Sequence, residues 1–142
     1  AAFRALVPDA TIVGIEPAGA AKMSRSLDAG RPVTLEKVDT IADGLKPVRP
    51  GDLTFQHTRD LVDRVATVED EPIRDAVFWC HGQRLVVEPS GAATIAAIAS
   101  GRVEPASDGA TIAVLSGGNL DPAILRSWLT ESASARDPGA AA

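Results

Sequence analysis

The chain has 142 residues, a formal net charge of −5 and no basic cluster. It is long enough for one domain with a real core, and it is a poor partner for nucleic acid, whose phosphates demand concentrated Lys and Arg. Hydrophobic residues make up 45% and charged residues 23%, the balance of a soluble globular domain, and no apolar run approaches the roughly 20 residues of a membrane span.

The single cysteine, Cys80, excludes an internal disulfide and any multi-cysteine metal site. No basic, apolar leader opens the sequence, so a cytoplasmic location is expected. Tyr is absent and aromatic residues amount to 4%. The core is therefore expected to be aliphatic and alanine-rich, with closely spaced elements.

Residues 1–6 read as the end of a helix: no Ser, Thr, Asp or Asn caps them, and Val7-Pro8-Asp9-Ala10 breaks the pattern. Residues 11–15 are a β-branched run that predicts a buried strand, stopped by Glu16-Pro17. Residues 18–29 have helical composition, with Gly30 as the natural C′ residue. Residues 31–50 carry three prolines and no period, so they read as loop with one short turn. Residues 53–65 predict a helix, from apolar Leu53, Leu61, Val62 and Val65 and from Asp60 and Arg64 at i,i+4 spacing. Residues 66–68 are a short strand candidate.

Glu69-Asp70-Glu71 places three acids where a helix dipole favours them, and Pro72 sits where its missing N–H costs little. Ile73, Val77 and Cys80 continue one face. Residues 89–100 predict a helix built from Ala, Ile, Thr and Gly, closed by Gly101, whose small side chains let it sit close to a sheet or ligand. Residues 101–109 read as loop, residues 111–115 as the clearest strand, and residues 122–129 as the last helix. Residues 132–142 read as a frayed tail, leaving 1–131 as the folded part. Strands alternating with helices indicate an α/β fold with a mainly parallel sheet.

The strand at 111–115 runs straight into Ser116-Gly117-Gly118-Asn119. Ligands of open α/β sheets sit just beyond the carboxyl ends of the strands. Paired glycines let backbone approach a flat ligand, and one hydroxyl can touch one of its atoms. Taken alone, this motif reads equally well as a tight turn.

Two further segments accompany it: Asp39-Thr40-Ile41-Ala42-Asp43-Gly44 and Leu85-Val86-Val87-Glu88-Pro89-Ser90-Gly91-Ala92. In this order and spacing the three resemble the second half of the pyridoxal-phosphate enzymes of the threonine dehydratase and serine racemase family. Val13-Gly14-Ile15-Glu16-Pro17, Arg49-Pro50-Gly51 and Leu61-Val62-Asp63 extend the match to about residue 130. The resemblance implies a three-layer αβα arrangement, part of the large domain of a tryptophan-synthase-β-like enzyme, with pyridoxal 5'-phosphate as cofactor. It also implies a small amino-acid substrate and a homo-oligomer, dimer or tetramer, in the intact enzyme.

By the same resemblance, Ser116 bonds the pyridine nitrogen of the cofactor. A neutral hydroxyl there leaves the ring a shallower electron sink than a carboxylate would, which suits β-elimination more than transamination. Gly117 and Gly118 would let backbone reach the ring edge. Gly44 resembles the residue whose backbone lies near the cofactor face, and Glu88 the family's buried acid near the ring. Asn119 orders the loop. Asp43 reads equally as a loop acid bonding local N–H groups and as a catalytic group.

Glu16 and the carbonyl of Ala20 match positions that bind a divalent cation in some members. The third position is Lys22 instead of an acid, so no divalent site is expected, and Lys22 supplies positive charge in its place. His57, His81 and Cys80 have no triad or metal spacing, and Phe78 and Trp79 mark a packed helix end or a subunit contact.

The family's lysine anchor stands in a Ser-x-Phe-Lys context, and Lys22, Lys37 and Lys46 do not. The glycine-rich loop that holds the cofactor phosphate is also missing. The expectation is a C-terminal piece of a dehydratase that deaminates L-threonine or L-serine to a 2-oxoacid and ammonia, inactive when isolated. The alternatives are a racemase or dehydratase of serine or hydroxyaspartate, a cysteine-synthase-like enzyme of the same fold, and a non-catalytic partner module.

Overall fold

The computed structural model describes residues 1–136. A short helix, α1 (Ala2–Leu6), leads to strand β1 (Val13–Pro17). Helices α2 (Lys22–Asp28) and α3 (Asp52–Leu61) precede strand β2 (Arg64–Val68). Helices α4 (Asp70–Gly82), α5 (Pro89–Ala99) and α6 (Pro122–Arg136) complete the order. β1 and β2 pair in parallel, from Val13 opposite Arg64 to Pro17 opposite Val68. The α/β class and the parallel pairing are those the sequence predicts.

Short side chains make the packing close. α5 lies against α4 and touches both strands. Its buried residues Ala92, Ala93 and Ala96 share one cluster with Ile73, Ala76, Val77 and Cys80 of α4. The alanine-rich core and the Ile73, Val77 and Cys80 face are as expected from the composition.

Several boundaries differ from those predicted. β1 does not stop at Glu16-Pro17 but includes both. Pro17 stands at the last rung, where its missing N–H removes no essential ladder bond. Ile12 lies outside the strand and is held by Asp63 instead. Its N–H donates to Asp63 Oδ2 at 2.6 Å, and its carbonyl accepts the Asp63 N–H at 3.0 Å. Arg4 joins the same knot, reaching Asp63 Oδ2 at 2.6 Å and the carbonyls of Leu61, Pro8 and Ala10.

The helix predicted over 18–29 is a 3-10 turn (Ala18–Ala20) followed by α2. Ala21 separates the two with φ −73°, ψ 51°. The helix predicted over 53–65 ends at Leu61. Val62 is extended, and Arg64, expected to pair with Asp60 on a helix, opens β2. α6 runs on to Arg136, so residues 132–136 are helical where a frayed tail was expected. The rest of that tail, 137–142, lies outside the described residues.

The largest departure is at 111–115, which the sequence presents as the clearest strand. The segment has no regular secondary structure and joins no ladder among the described residues. Thr94 Oγ1 on α5 donates to the Val114 carbonyl at 3.0 Å. Ile112 and Val114 are 73% and 67% exposed. An open cleft of ≈ 900 Å³ is lined by this segment and by β1, among others by Val13, Ile15, Thr94, Ile98, Ile112 and Val114. β-branched composition makes the strand shape, but a strand needs a neighbour to take its N–H and C=O groups.

Candidate functional site

The first turn of α5 is where the three singled-out segments meet. Glu88 holds the N-cap position with extended backbone (φ −75°, ψ 161°), and Pro89 fills the first helical position. The Glu88 carboxylate does not cap its own helix. It crosses to the 116–119 turn, where Oε2 accepts the Asn119 N–H at 3.0 Å. The Glu88 N–H in turn donates to the Gly117 carbonyl at 3.3 Å. One residue thus clamps the turn with both backbone and side chain.

This clamp explains the glycines. Gly117 has φ +76°, and a Cβ there would lie 2.4 Å from Glu88 Oε1. A Cβ on Gly118 would lie 2.9 Å from the Val86 carbonyl oxygen. On Gly91 it would lie 1.7 Å from the Ser116 carbonyl oxygen. These positions lack side chains because protein backbone and carboxylate already occupy the space. The Ser116 carbonyl is thereby packed against Gly91, while the Ser116 hydroxyl is exposed and has no hydrogen-bond partner among the described residues.

Gly44 reaches the same place from the other side. A Cβ on it would lie 2.9 Å from Ser90 Oγ and 3.7 Å from Glu88 Oε1. Ser90 Oγ is buried and makes no hydrogen bond among the described residues. Asp43 Oδ1 accepts the Gly44 N–H at 2.9 Å, the local role of a loop acid.

Three anchors hold the 39–45 segment. Asp70 at the start of α4 accepts the Thr40 hydroxyl at 2.5 Å and the Ile41 N–H at 3.0 Å. The Asp39 N–H donates to the Gly19 carbonyl at 3.0 Å, so close that a Cβ on Gly19 would lie 1.7 Å from the Asp39 carbonyl oxygen. Lys22 Nζ donates to the Leu45 carbonyl at 2.9 Å.

Glu16 is buried at the end of β1. Its two oxygens accept the Met23 and Ser24 N–H groups of α2 at 3.0 and 2.8 Å, satisfying donors that a helix start leaves open. Burial pushes the half-buried Lys22 ammonium below its ordinary pKa, and Glu16 partly offsets that. Such a donor set does not fit a divalent cation. The one carboxylate is engaged by N–H groups, and the position of the missing acid carries a positive charge. Ser24 Oγ, buried without a partner, adds only a neutral oxygen.

His57 Nδ1 lies 2.9 Å from the Leu53 carbonyl in its own helix, and His81 is exposed on α4. Burial raises the Cys80 thiol pKa, which keeps it a thiol and no nucleophile. Trp79 is 53% exposed. Sequence reasoning gave no role to Thr40, Ser90, Gly91 or Gly19, and took Asp70 only as a dipole acid. The available signal was Gly91: a glycine inside a helical pattern costs about 1 kcal/mol against Ala, so its presence marks a close approach.

A family model for pyridoxal-phosphate dependent enzymes matches residues 1–117. Serine racemase of Oryza sativa subsp. japonica is 41% identical over 107 residues, which are 75% of this chain and 31% of that protein. The solved structure of maize serine racemase superposes with a TM-score of 0.80 at 37% identity, covering 95% of this chain and 42% of that one. The processed form of threonine deaminase isoform 2 from Solanum lycopersicum superposes with a TM-score of 0.80 at 32% identity, covering 92% and 37%. The match spans about a third of the length of the curated serine racemases and less of several threonine dehydratases. With the family model matching residues 1–117, which include both strands, the anchored loop and Glu88, the chain belongs to the family of pyridoxal-phosphate dependent enzymes.

Proposed function

We propose that these residues form the pyridine-side wall of a cofactor site, within a longer polypeptide that deaminates L-threonine or L-serine to a 2-oxoacid and ammonia by β-elimination. The observation that carries this reading is the clamp. Glu88 holds the backbone that follows Ser116 at Gly117 and Asn119, Gly91 lets the Ser116 carbonyl pack against α5, and the Ser116 hydroxyl has no partner among the described residues. The residues fit pyridoxal 5'-phosphate in donor chemistry. Among the described residues, the first turn of α5 gathers the buried, unpartnered Ser90 hydroxyl, the exposed backbone of Gly44 and the Ser116 carbonyl, with the neutral Ser116 hydroxyl exposed and without a partner.

When bound, the cofactor supplies an electron sink that acidifies the α-proton of an amino acid. In this chain, Ser116 would hydrogen-bond the pyridine nitrogen without protonating it. Glu88 and Asn119 keep the turn from drifting, and Gly44 with Asp43 would lie beside the group. The covalent lysine and the phosphate loop come from polypeptide beyond these residues. The bare 111–115 segment and the unpaired edge of β1 support the same division, since both offer backbone groups to a further strand.

The 142 residues alone are therefore inactive in this reading. The exposed Trp79 supports a subunit contact in a homo-oligomer. Among the described residues, no helix is long and apolar enough to cross a membrane, and we place the enzyme in the cytoplasm.

Serine racemisation is the second reading, favoured by the relatives that carry that name. The decisive experiment supplies L-threonine and L-serine to the longer polypeptide containing these residues, and follows 2-oxobutyrate, pyruvate and D-serine. Release of 2-oxobutyrate and pyruvate supports deamination. D-serine as the dominant product overturns it in favour of racemisation. Neither product, with cofactor bound, overturns both.

A further inference from the structure

We propose that the Lys22 ammonium ion, held beside the Glu16 carboxylate and against the Leu45 carbonyl, is a built-in cation that fixes the 43–45 turn, so that the chain needs no divalent ion there. Lys22 is the first residue of α2, a position where the helix dipole disfavours a cation. It is also half-buried, and its desolvation outweighs the attraction of Glu16. A lysine on the surface would avoid both costs.

What holds it in place is geometry. Glu16, engaged by the Met23 and Ser24 N–H groups, provides a fixed negative charge. The Leu45 carbonyl, 2.9 Å from Nζ, is the one acceptor the ammonium reaches among the described residues. That carbonyl ends the 3-10 turn Asp43–Leu45, which carries Gly44 to the first turn of α5. The turn's own bonds, Leu45 N–H to Ala42 and Lys46 N–H to Asp43 at 2.9 and 3.1 Å, are single and near the surface. Lys22 thus ties the end of β1 to the segment that reaches the Glu88 clamp. The inference holds whichever reaction the longer enzyme performs.

Because the charge is costly where it stands, its effect is on local order more than on overall stability. The test is amide hydrogen exchange of Leu45 and Lys46 in the 142-residue chain, for the natural sequence, Lys22→Met and Lys22→Arg. A charged hydrogen bond of ordinary strength predicts about tenfold faster exchange in Lys22→Met, with Lys22→Arg close to the natural chain. Unchanged exchange in Lys22→Met, or equal acceleration in both variants, overturns the proposal. Thermal melts of the natural chain with millimolar magnesium or calcium chloride need no variant. An unchanged midpoint agrees with the proposal, and a raised one overturns it.

Discussion

Replacing Gly91 by alanine separates the clamp from ordinary helix energetics. Gly91 lies in the first turn of α5 with helical backbone, where alanine commonly stabilises by up to about 1 kcal/mol. Here the new methyl would stand 1.7 Å from the Ser116 carbonyl oxygen and 2.8 Å from its carbon. Both are backbone atoms, so no flexible side chain can swing aside. Real Cβ contacts essentially never fall below 3.0 Å, so the turn must retreat by more than 1 Å. That movement stretches the Glu88 N–H bond to Gly117, already 3.3 Å, and the Asn119 N–H bond to Glu88.

One bond to a charged group and one weaker backbone bond amount to about 2–3 kcal/mol. The helix gain offsets part of that. A net loss of about 2 kcal/mol lowers the melting midpoint by about 5–10 °C in a domain of this size. Gly82→Ala is the control: no atom lies within 4 Å of its would-be Cβ, and it should melt at or slightly above the parent. Calorimetric or circular-dichroism melts of the two variants decide the matter. A Gly91→Ala chain melting at or above the parent refutes the close approach of the turn to α5.

Asp70→Ala would leave the buried Thr40 hydroxyl and the Ile41 N–H without their acceptor, and is expected to cost about 2–3 kcal/mol, read from denaturant midpoints and from exchange of the Ile41 amide. Arg84 follows α4 with φ +63°, a left-handed conformation. Arg84→Gly should raise stability by up to about 1 kcal/mol, seen as a higher urea midpoint. The Ile12 N–H, and then Arg4, hold the Asp63 carboxyl below its ordinary pKa. The folded state therefore binds that proton less readily than the unfolded chain does. Its contribution is complete above about pH 4 and is lost as the pH falls through the folded value. Asp63→Asn should flatten the fall in stability below about pH 4, and an unchanged acid slope would contradict the knot of Arg4, Ile12 and Asp63.

Much of the fold was legible because local chemistry and tertiary packing agree. α4 carries its acids in the first turn and its apolar residues on one stripe, and α5 announces its packing by being nearly all small. The misplacements share a cause: in each, a partner distant in sequence decides the outcome. Glu16 caps α2 from the strand before it, which divides the predicted 18–29 helix. Asp63 takes up the Ile12 N–H and shifts the start of β1. The 111–115 segment has the composition of a strand but pairs with no strand among the described residues.

At the site, the residue types were readable, and the three segments do converge. The partners of those residues were not readable. Gly117 and Gly118 yield space to Glu88 and Val86, and Asn119 contributes its backbone N–H. Asp70 and Lys22, remote in sequence, anchor the loop that carries Gly44.

The central claim is that these 142 residues hold one wall of a cofactor site whose lysine and phosphate loop lie on other polypeptide. It is tested most directly by 2-oxoacid release from L-threonine and L-serine with saturating pyridoxal 5'-phosphate, for the purified chain alone and for the longer polypeptide containing it. The account predicts no 2-oxobutyrate or pyruvate from the chain alone, and both products from the longer polypeptide. Turnover by the chain alone would contradict it.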